Sequence, residues 1–472
     1  MFIGGRWVHS DDVVHVYDPQ DNTLIDTVPA ASKQQALKAL ELGETGARVA
    51  ERMPTHERIS VLSKAARYIE ENFEEYALVI ARESSKTIRE ARKEVGRCIE
   101  TLKLSAEEAR RLQGETIQFD QTASGEGRTG YFYRFPVGLI VAITPFNDPL
   151  NLVAHKVGPA IAGGNAIIVK PALTTPLSAL KLAEAFEAAG LPENVLTVIT
   201  GRASEIGETL TTHPAVRMVT FTGGLETGQR IARQCGLKKL SMELGSNSPV
   251  IVLKDALLDD AVEACVSGAF WAAGQNCLGV QRIFVEESVY SQFVDELVAR
   301  TGKMQLGDKL REGTDMGPLI LEQEACRVEE WVSEAVSCGA TVKIGGTRRG
   351  NYYEPTILTD VPIRCRIAKD EVFGPVVSVF PVANLDEAIA LANDVDYGLQ
   401  AGVFTENIEK AFQAVHRLKV GGVLINDSTD YRLDAMPFGG VKGSGIGREG
   451  VKFALQEMTE PKVVCFKLGL RH

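Results

Sequence analysis

The pattern of apolar and polar positions changes character along the chain. Residues 33 to 113 carry apolar positions at helical spacing beneath dense surface charge, from Ser32-Lys33 through Tyr68-Ile69-Glu70 to Ala106-Glu107-Glu108-Ala109, with a break at Gly114. This predicts a helical lead-in. From Thr116 to Tyr133 the pattern turns polar and alternating, with Gly125, Gly127 and Gly130 as breakers, which predicts an exposed hairpin or arm. Short apolar runs come next, Val137 to Ile143, Ala166 to Val169, Val195 to Ile199 and Met218 to Phe221. Between them lie helix-length stretches, Leu150 to Ala162, Pro176 to Ala189 and Ala203 to Leu210, which stop at glycines such as Gly163 and Gly190. Strand-helix-strand repeats predict a parallel sheet of the nucleotide-binding kind. A second α/β region begins near Ser248 to Val252 and runs to about Gly422, with strands at Arg282 to Val285 and Val376 to Phe380 and a helix at Gln323 to Cys338. Lys462 to Phe466 reads as a strand after a helix, an edge that seeks a partner.

Length changes this picture by requiring more than one core: 472 residues, 44% of them hydrophobic and 24% charged, predict two or three globular domains. A net charge of −11 argues against nucleic acid and anionic membrane as partners. No apolar stretch reaches the ~18 residues a bilayer span needs, and the opening residues lack the basic, apolar and cleavage features of a secretory signal. The expectation is a cytoplasmic protein. Eight scattered cysteines without a C-x-x-C pair read as reduced thiols, with no metal site expected and one thiol a candidate for reactivity.

That candidate is Cys277, in Gly274-Gln275-Asn276-Cys277, where a helix from about Asp259 is expected to end at Gly274 and leave the cysteine on a loop before the strand near Arg282. A buried structural thiol is the plain alternative. Glu243 sits among apolar and small residues, where burial raises a carboxyl pKa toward a useful general base; a capping or salt-bridging glutamate is the other reading. Asn147 follows a predicted strand and precedes a helix, positioned either to cap that helix or to donate to a developing oxyanion. Gly445 to Gly450 matches G-x-G-x-x-G, yet no apolar strand precedes it, so it fails as a phosphate loop. Phe221 to Gly228 does follow a strand and opens a helix, whose amino end can face a pyrophosphate.

In order and over essentially the full chain, these segments resemble the aldehyde dehydrogenase superfamily. The matching blocks are Pro145-Phe146-Asn147, Ile168-Val169-Lys170-Pro171, Phe221-Thr222-Gly223, Glu243-Leu244-Gly245, Gly274-Gln275-Asn276-Cys277, Glu371-Val372-Phe373-Gly374-Pro375 and Pro437-Phe438-Gly439-Gly440. The resemblance implies an α/β fold with two Rossmann-like domains and a small β oligomerisation arm. The NAD(P)-binding domain would comprise 1–118 and 139–243, the catalytic domain 244–435, and the arm 119–138 with 454–472. Cys277 would be the nucleophile, Asn147 the oxyanion donor and Glu243 the base that activates hydrolytic water. NAD or NADP would lie against Thr144, Pro145, Phe146, Asn147, Lys170 and Ala172, then Gly201, Gly207, Phe221, Gly223, Gly224 and Thr227, and finally Glu243, Leu244, Gly245, Cys277, Glu371 and Phe373. Within that set Lys170 resembles the ribose-contacting lysine and Glu371 the ligand of the nicotinamide ribose. The arm implies a homodimer or homotetramer.

One departure bears on the cofactor. NAD-preferring relatives often carry a glutamate three residues after the lysine, and this chain has Leu173 there, which removes a barrier to the 2′-phosphate of NADP. Substrate is expected to meet Phe146, Leu152, His155, Asn276, Leu278 and Phe438, with the loop Asn426 to Asp434. Arg432, with Arg110 or Arg111, would pair with an anionic group on a short polar aldehyde, unless these arginines form ordinary salt bridges. The pattern looks closest to lactaldehyde and semialdehyde dehydrogenases. A CoA-acylating relative is the alternative within the family, disfavoured by Glu243. From other classes the alternatives are a cysteine-histidine hydrolase using His155 and a non-catalytic binding protein.

Overall fold

Ser32 and Thr87 each accept a hydrogen bond from the backbone N–H three residues on, and the glutamine or glutamate there reaches back to the cap. These two capping boxes open the first and last of four helices, Lys33–Arg52, Thr55–Glu71, Phe73–Glu83 and Ile88–Arg111. The single helical stretch expected from periodicity is divided because Pro54 lacks the N–H that would continue the first helix and instead precedes the second. The computed structural model describes residues 1–468.

Two sheets form the centre. In the first, five parallel strands lie in the order Leu196–Val198, Ala166–Lys170, Leu139–Ile143, Val216–Thr222, Lys239–Glu243. Chain order reverses between Leu139–Ile143 and Val216–Thr222, which opens a crevice at the carboxyl ends of those strands. Their side chains are almost continuously buried, as expected of a parallel sheet covered on both faces. Gly445–Ile446 closes one edge, antiparallel to Lys239–Glu243, so the glycine-rich match at Gly445 to Gly450 is a short edge strand beside Glu243.

The second sheet runs Thr341–Ile344, Thr356–Thr359, Val376–Val382, Val280–Glu286, Ser248–Val252, Gln400–Phe404, Gly422–Ile425, antiparallel only at its first pair. A third sheet stands apart from both: Thr459–Lys467 pairs antiparallel with Arg128–Pro136 over its whole length, and Glu115–Ile117 pairs on the far side. The strand Glu115–Ile117 therefore joins this sheet from before position 119. Residues 469–472, assigned to the arm by resemblance, lie outside the described residues. Among the described residues no helix is long and apolar enough to cross a membrane.

Candidate active site

The helix expected to run to Gly274 ends at Phe270. Ala272, Ala273 and Gly274 then take left-handed backbone at φ 49°, 55° and 70°, a conformation that ends α-helix and turns the chain sharply. Only glycine fits the third position, because a Cβ there would stand 2.2 Å from the Gly374 carbonyl oxygen. Gln275 pins the turn on both sides: its Nε2 donates to the Ala272 carbonyl at 3.0 Å, and its Oε1 accepts from the Ile320 N–H at 3.0 Å. The Asn276 side chain accepts from the Leu278 N–H at 3.1 Å. Cys277 is thereby held half-buried on a turn. Burial pushes its thiol pKa up to about 12, while the charge of Arg432 draws it down and those of Glu371 and Glu243 push it further up.

A cavity of about 310 Å³ lies in front of the thiol. Asn147, Leu152, Asn276, Leu278 and Arg432 line it with Cys277, as do Lys93, Arg97, Trp271 and Asp430. The Asn147 amide makes no hydrogen bond among the described residues, so its donors are free toward the cavity. Its loop is pinned from behind: Lys86 pairs with Asp148 and, at 2.6 Å, with Glu94, which accepts from the Leu150 and Asn151 N–H groups at 2.8 and 3.0 Å.

Glu243 ends the strand Lys239–Glu243 and is 4% exposed, with neither carboxylate oxygen hydrogen-bonded. Burial, then the nearby charge of Glu449, holds its pKa well above the usual carboxylate range, against the pull of Arg432 and Lys156. Glu449 is the opposite case. Against burial, the charges of Lys156 at 2.8 Å and Arg432 at 3.0 Å hold it well below that range. The two carboxyls thus have environments that separate an acid from a base.

A second cleft, of about 350 Å³, opens where the first sheet reverses and is lined by Ile143, Lys170, Gly207 and Thr227. Burial brings the Lys170 pKa down to about 8; among the described residues its ammonium meets only the Pro171 carbonyl, at 3.3 Å. The helix Leu225–Gln234 begins here without a side-chain cap. Glu371, buried and pushed up to about 7, accepts from the Ser246 N–H at 2.7 Å, and a Cβ on Gly245 would stand 2.3 Å from its other oxygen. The Thr144 hydroxyl is buried without a partner. Open lysine, free hydroxyl, uncapped helix end and glycine clearance fit a dinucleotide's ribose and phosphate groups.

The surroundings of the other expected cofactor residues are set by packing. Phe221 and Leu244 are buried against Gly223 and Gly228, where a Cβ would come within 2.6 and 2.5 Å of their side chains. Gly201 packs against Ile206, Gly224 caps the helix Leu225–Gln234, and Ala172 lies half-exposed on the loop after Lys170. Phe146 meets Phe373 edge-on at 5.8 Å, and Phe373 holds φ 46°, an outlying conformation for an aromatic residue beside a site.

Four of the expected substrate residues, His155, Phe438, Phe146 and Arg110, do not line the cavity before Cys277. His155 is fully buried, its Nε2 2.8 Å from Asp434, and it does not line the cavity, so no cysteine-histidine pair forms. Phe438 is buried beneath the Arg432 guanidinium, 3.8 Å from its ring centroid. Phe146 is likewise absent from the lining. Arg110 is exposed, and Arg111 pairs with Glu107 and Glu108 on the surface. Both lie near the far end of Ile88–Arg111, about 20 Å along the axis from Arg97, which with Lys93 supplies that helix's cations to the cavity. An i, i+4 pair of cations on one helical face was the signal for Lys93 and Arg97. Arg230, on the cofactor cleft one turn after Thr227, was legible in the same way.

A model of the aldehyde dehydrogenase family matches residues 7–464. The chain is 51% identical over 455 residues to aspartate-semialdehyde dehydrogenase 1 of Pseudomonas canavaninivorans, covering 96% of this chain and 97% of that protein. Aldehyde dehydrogenase 21 from Physcomitrella patens, solved in complex with its reaction product succinate, superposes with a TM-score of 0.97 at 38% identity, covering 100% of this chain and 98% of that one. A glyceraldehyde-3-phosphate dehydrogenase from Methanocaldococcus jannaschii, complexed with NADP, superposes at 0.94 with 38% identity, covering 98% of this chain and 100% of the other.

Proposed function

The chain belongs to the aldehyde dehydrogenase family, and from that premise we propose that it oxidises a short polar or anionic aldehyde to the carboxylate through a thioester on Cys277, with NAD or NADP as oxidant. Aldehyde, water and oxidised cofactor give carboxylate, reduced cofactor and two protons. The Cys277 thiolate, favoured by the charge of Arg432, adds to the aldehyde carbon. The oxyanion so formed accepts from the Asn147 amide and the Cys277 N–H. NAD or NADP, held by Lys170, Thr144 and Glu371, would supply the hydride acceptor for this carbon, and Cys277 would then carry the acyl group as a thioester. Glu243, its pKa raised by burial, takes a proton from water as that water attacks the thioester.

What carries this reading is a free Asn147 amide on the same cavity as Cys277, with Glu243 near enough for its charge to act on the thiol and without a hydrogen-bond partner among the described residues. Rapid mixing of Glu243→Gln with aldehyde and cofactor tests it. The variant should give a burst near one reduced cofactor per active site and then stall, whereas no burst, or undiminished turnover, contradicts the assigned role.

The substrate class rests on the cations Lys93, Arg97 and Arg432 around a cavity of about 310 Å³. Small carboxylates fit that setting, in keeping with the relative named for aspartate semialdehyde and the structure holding succinate. Dual cofactor use is inferred from Leu173 together with a cleft wall that carries Lys170 and Arg230 against Glu208 alone. A kcat/KM preference for NAD above about a thousandfold, some 4 kcal/mol, contradicts it. A dimer or tetramer built through the sheet Thr459–Lys467, Arg128–Pro136 and a cytoplasmic location complete the proposal.

A further inference from the structure

The cavity before Cys277 carries charges of both signs that the chemistry above does not use. Arg97 is engaged, its guanidinium on Asp434 at 2.8 and 3.3 Å, and Arg432 is held by Glu449 at 3.0 Å. Lys93 is not: its ammonium lies 4.7 Å from the Trp271 ring centroid and makes no ion pair among the described residues. Opposite in sign stands Asp430, on the same cavity wall and likewise without an ion pair among the described residues. Burial raises its pKa, against a hydrogen bond from Ser428 and the charge of Lys93.

Asp430 is held firmly in place. The Thr429 hydroxyl before it donates to the Leu278 carbonyl at 2.6 Å, one residue from the nucleophile. Gln400 Nε2 donates to the Thr429 and Tyr431 carbonyls at 2.7 and 3.2 Å, so both chain neighbours are anchored. A fixed, largely desolvated carboxylate whose nearest cation, Lys93, stands too far off for an ion pair is costly, and a ligand ammonium beside it would offset that cost. One small cavity with an unpaired ammonium and an unpaired carboxylate complements a ligand bearing both charges.

Resting on the activity proposed above, we infer that the pocket selects an aldehyde carrying an ammonium as well as a carboxylate, an amino-acid semialdehyde, with Asp430 receiving the ammonium and Lys93 the carboxylate. Asp430 is then the residue that separates such a substrate from its amine-free analogue. The carboxylate alone would be served by Lys93 in either case.

Aspartate β-semialdehyde and succinate semialdehyde differ by a single amine and test this directly through kcat/KM for cofactor reduction. The wild-type enzyme should favour the amine-bearing substrate by about tenfold or more, the scale of a matched polar contact. Asp430→Asn should lose about tenfold on aspartate semialdehyde, while succinate semialdehyde is unchanged or improved. Lys93→Met should lower both substrates by a similar factor. A wild-type preference for succinate semialdehyde, or equal losses on both substrates in Asp430→Asn, overturns the inference. The wild-type ratio decides on its own if Asp430→Asn does not fold. Cys277-dependent oxidation of succinate semialdehyde or propionaldehyde without a preference for the amine sinks this selection and leaves the dehydrogenase reading standing. Failure with every aldehyde sinks both.

Discussion

At the scale of single residues, the proposed reaction turns on two groups that burial keeps protonated until they are needed. Cys277 is pushed up to about 12 by burial, and Glu243 is raised by burial and by Glu449. A group with a raised pKa gains its reactive, deprotonated form as pH rises, so kcat/KM should climb through neutral into alkaline pH. Arg432 lowers both pKa values, so Arg432→Met should move this limb to higher pH and lose most activity at neutral pH, with Arg432→Lys intermediate. An unshifted limb in Arg432→Met would show that Arg432 only supports the loop. Cys277, Glu243 and Asn147, the residues proposed as nucleophile, base and oxyanion donor, stand in ordered motifs that the sequence shows. Lys93, Arg97 and Asp430 were not, because their position depends on a helix and a distant loop meeting in space. The sequence points to Arg110 rather than Arg97 because it does not say how far along a helix a cavity lies.

At the scale of elements, the turn before Cys277 stores backbone strain that glycine relieves. Gly274→Ala places a Cβ 2.2 Å from the Gly374 oxygen at φ 70°, and should cost at least about 2 kcal/mol with a matching loss of activity. Gly96, inside the helix Ile88–Arg111, has nothing within 4 Å of an added Cβ. Gly96→Ala should therefore stabilise by about 0.5–1 kcal/mol, and thermal unfolding of the two variants should move in opposite directions. The parallel strands were readable because strands buried on both faces leave continuous apolar runs, as in Leu139–Ile143. The helix end was not: Ala272 and Ala273 are good helix formers, and tertiary contacts such as the Ala272 N–H to Glu90 at 2.9 Å hold them in left-handed backbone instead.

At the scale of the whole molecule, the sheet that stands apart has an unpaired outer edge at Thr459–Lys467. It also leaves Tyr131, Tyr133, Val463 and Phe466 exposed, more apolar surface than a lone arm needs. Val463→Glu with Phe466→Glu should shift the mass in solution from oligomer toward monomer by light scattering, and an unchanged mass would contradict the proposed arm. An exposed strand's need for a partner was legible at Lys462 to Phe466, whereas its pairing with a segment over 300 residues earlier was not, since nothing local encodes it. The central claim is thioester catalysis at Cys277, and the most direct measurement is NAD(P)H formation by wild type and Cys277→Ala across lactaldehyde, glycolaldehyde, succinate semialdehyde, aspartate β-semialdehyde and a plain aliphatic aldehyde. The account predicts cofactor reduction with at least one short polar aldehyde and its loss by more than about a thousandfold in the variant. Comparable rates in the two proteins, or no reduction with any aldehyde, would contradict it.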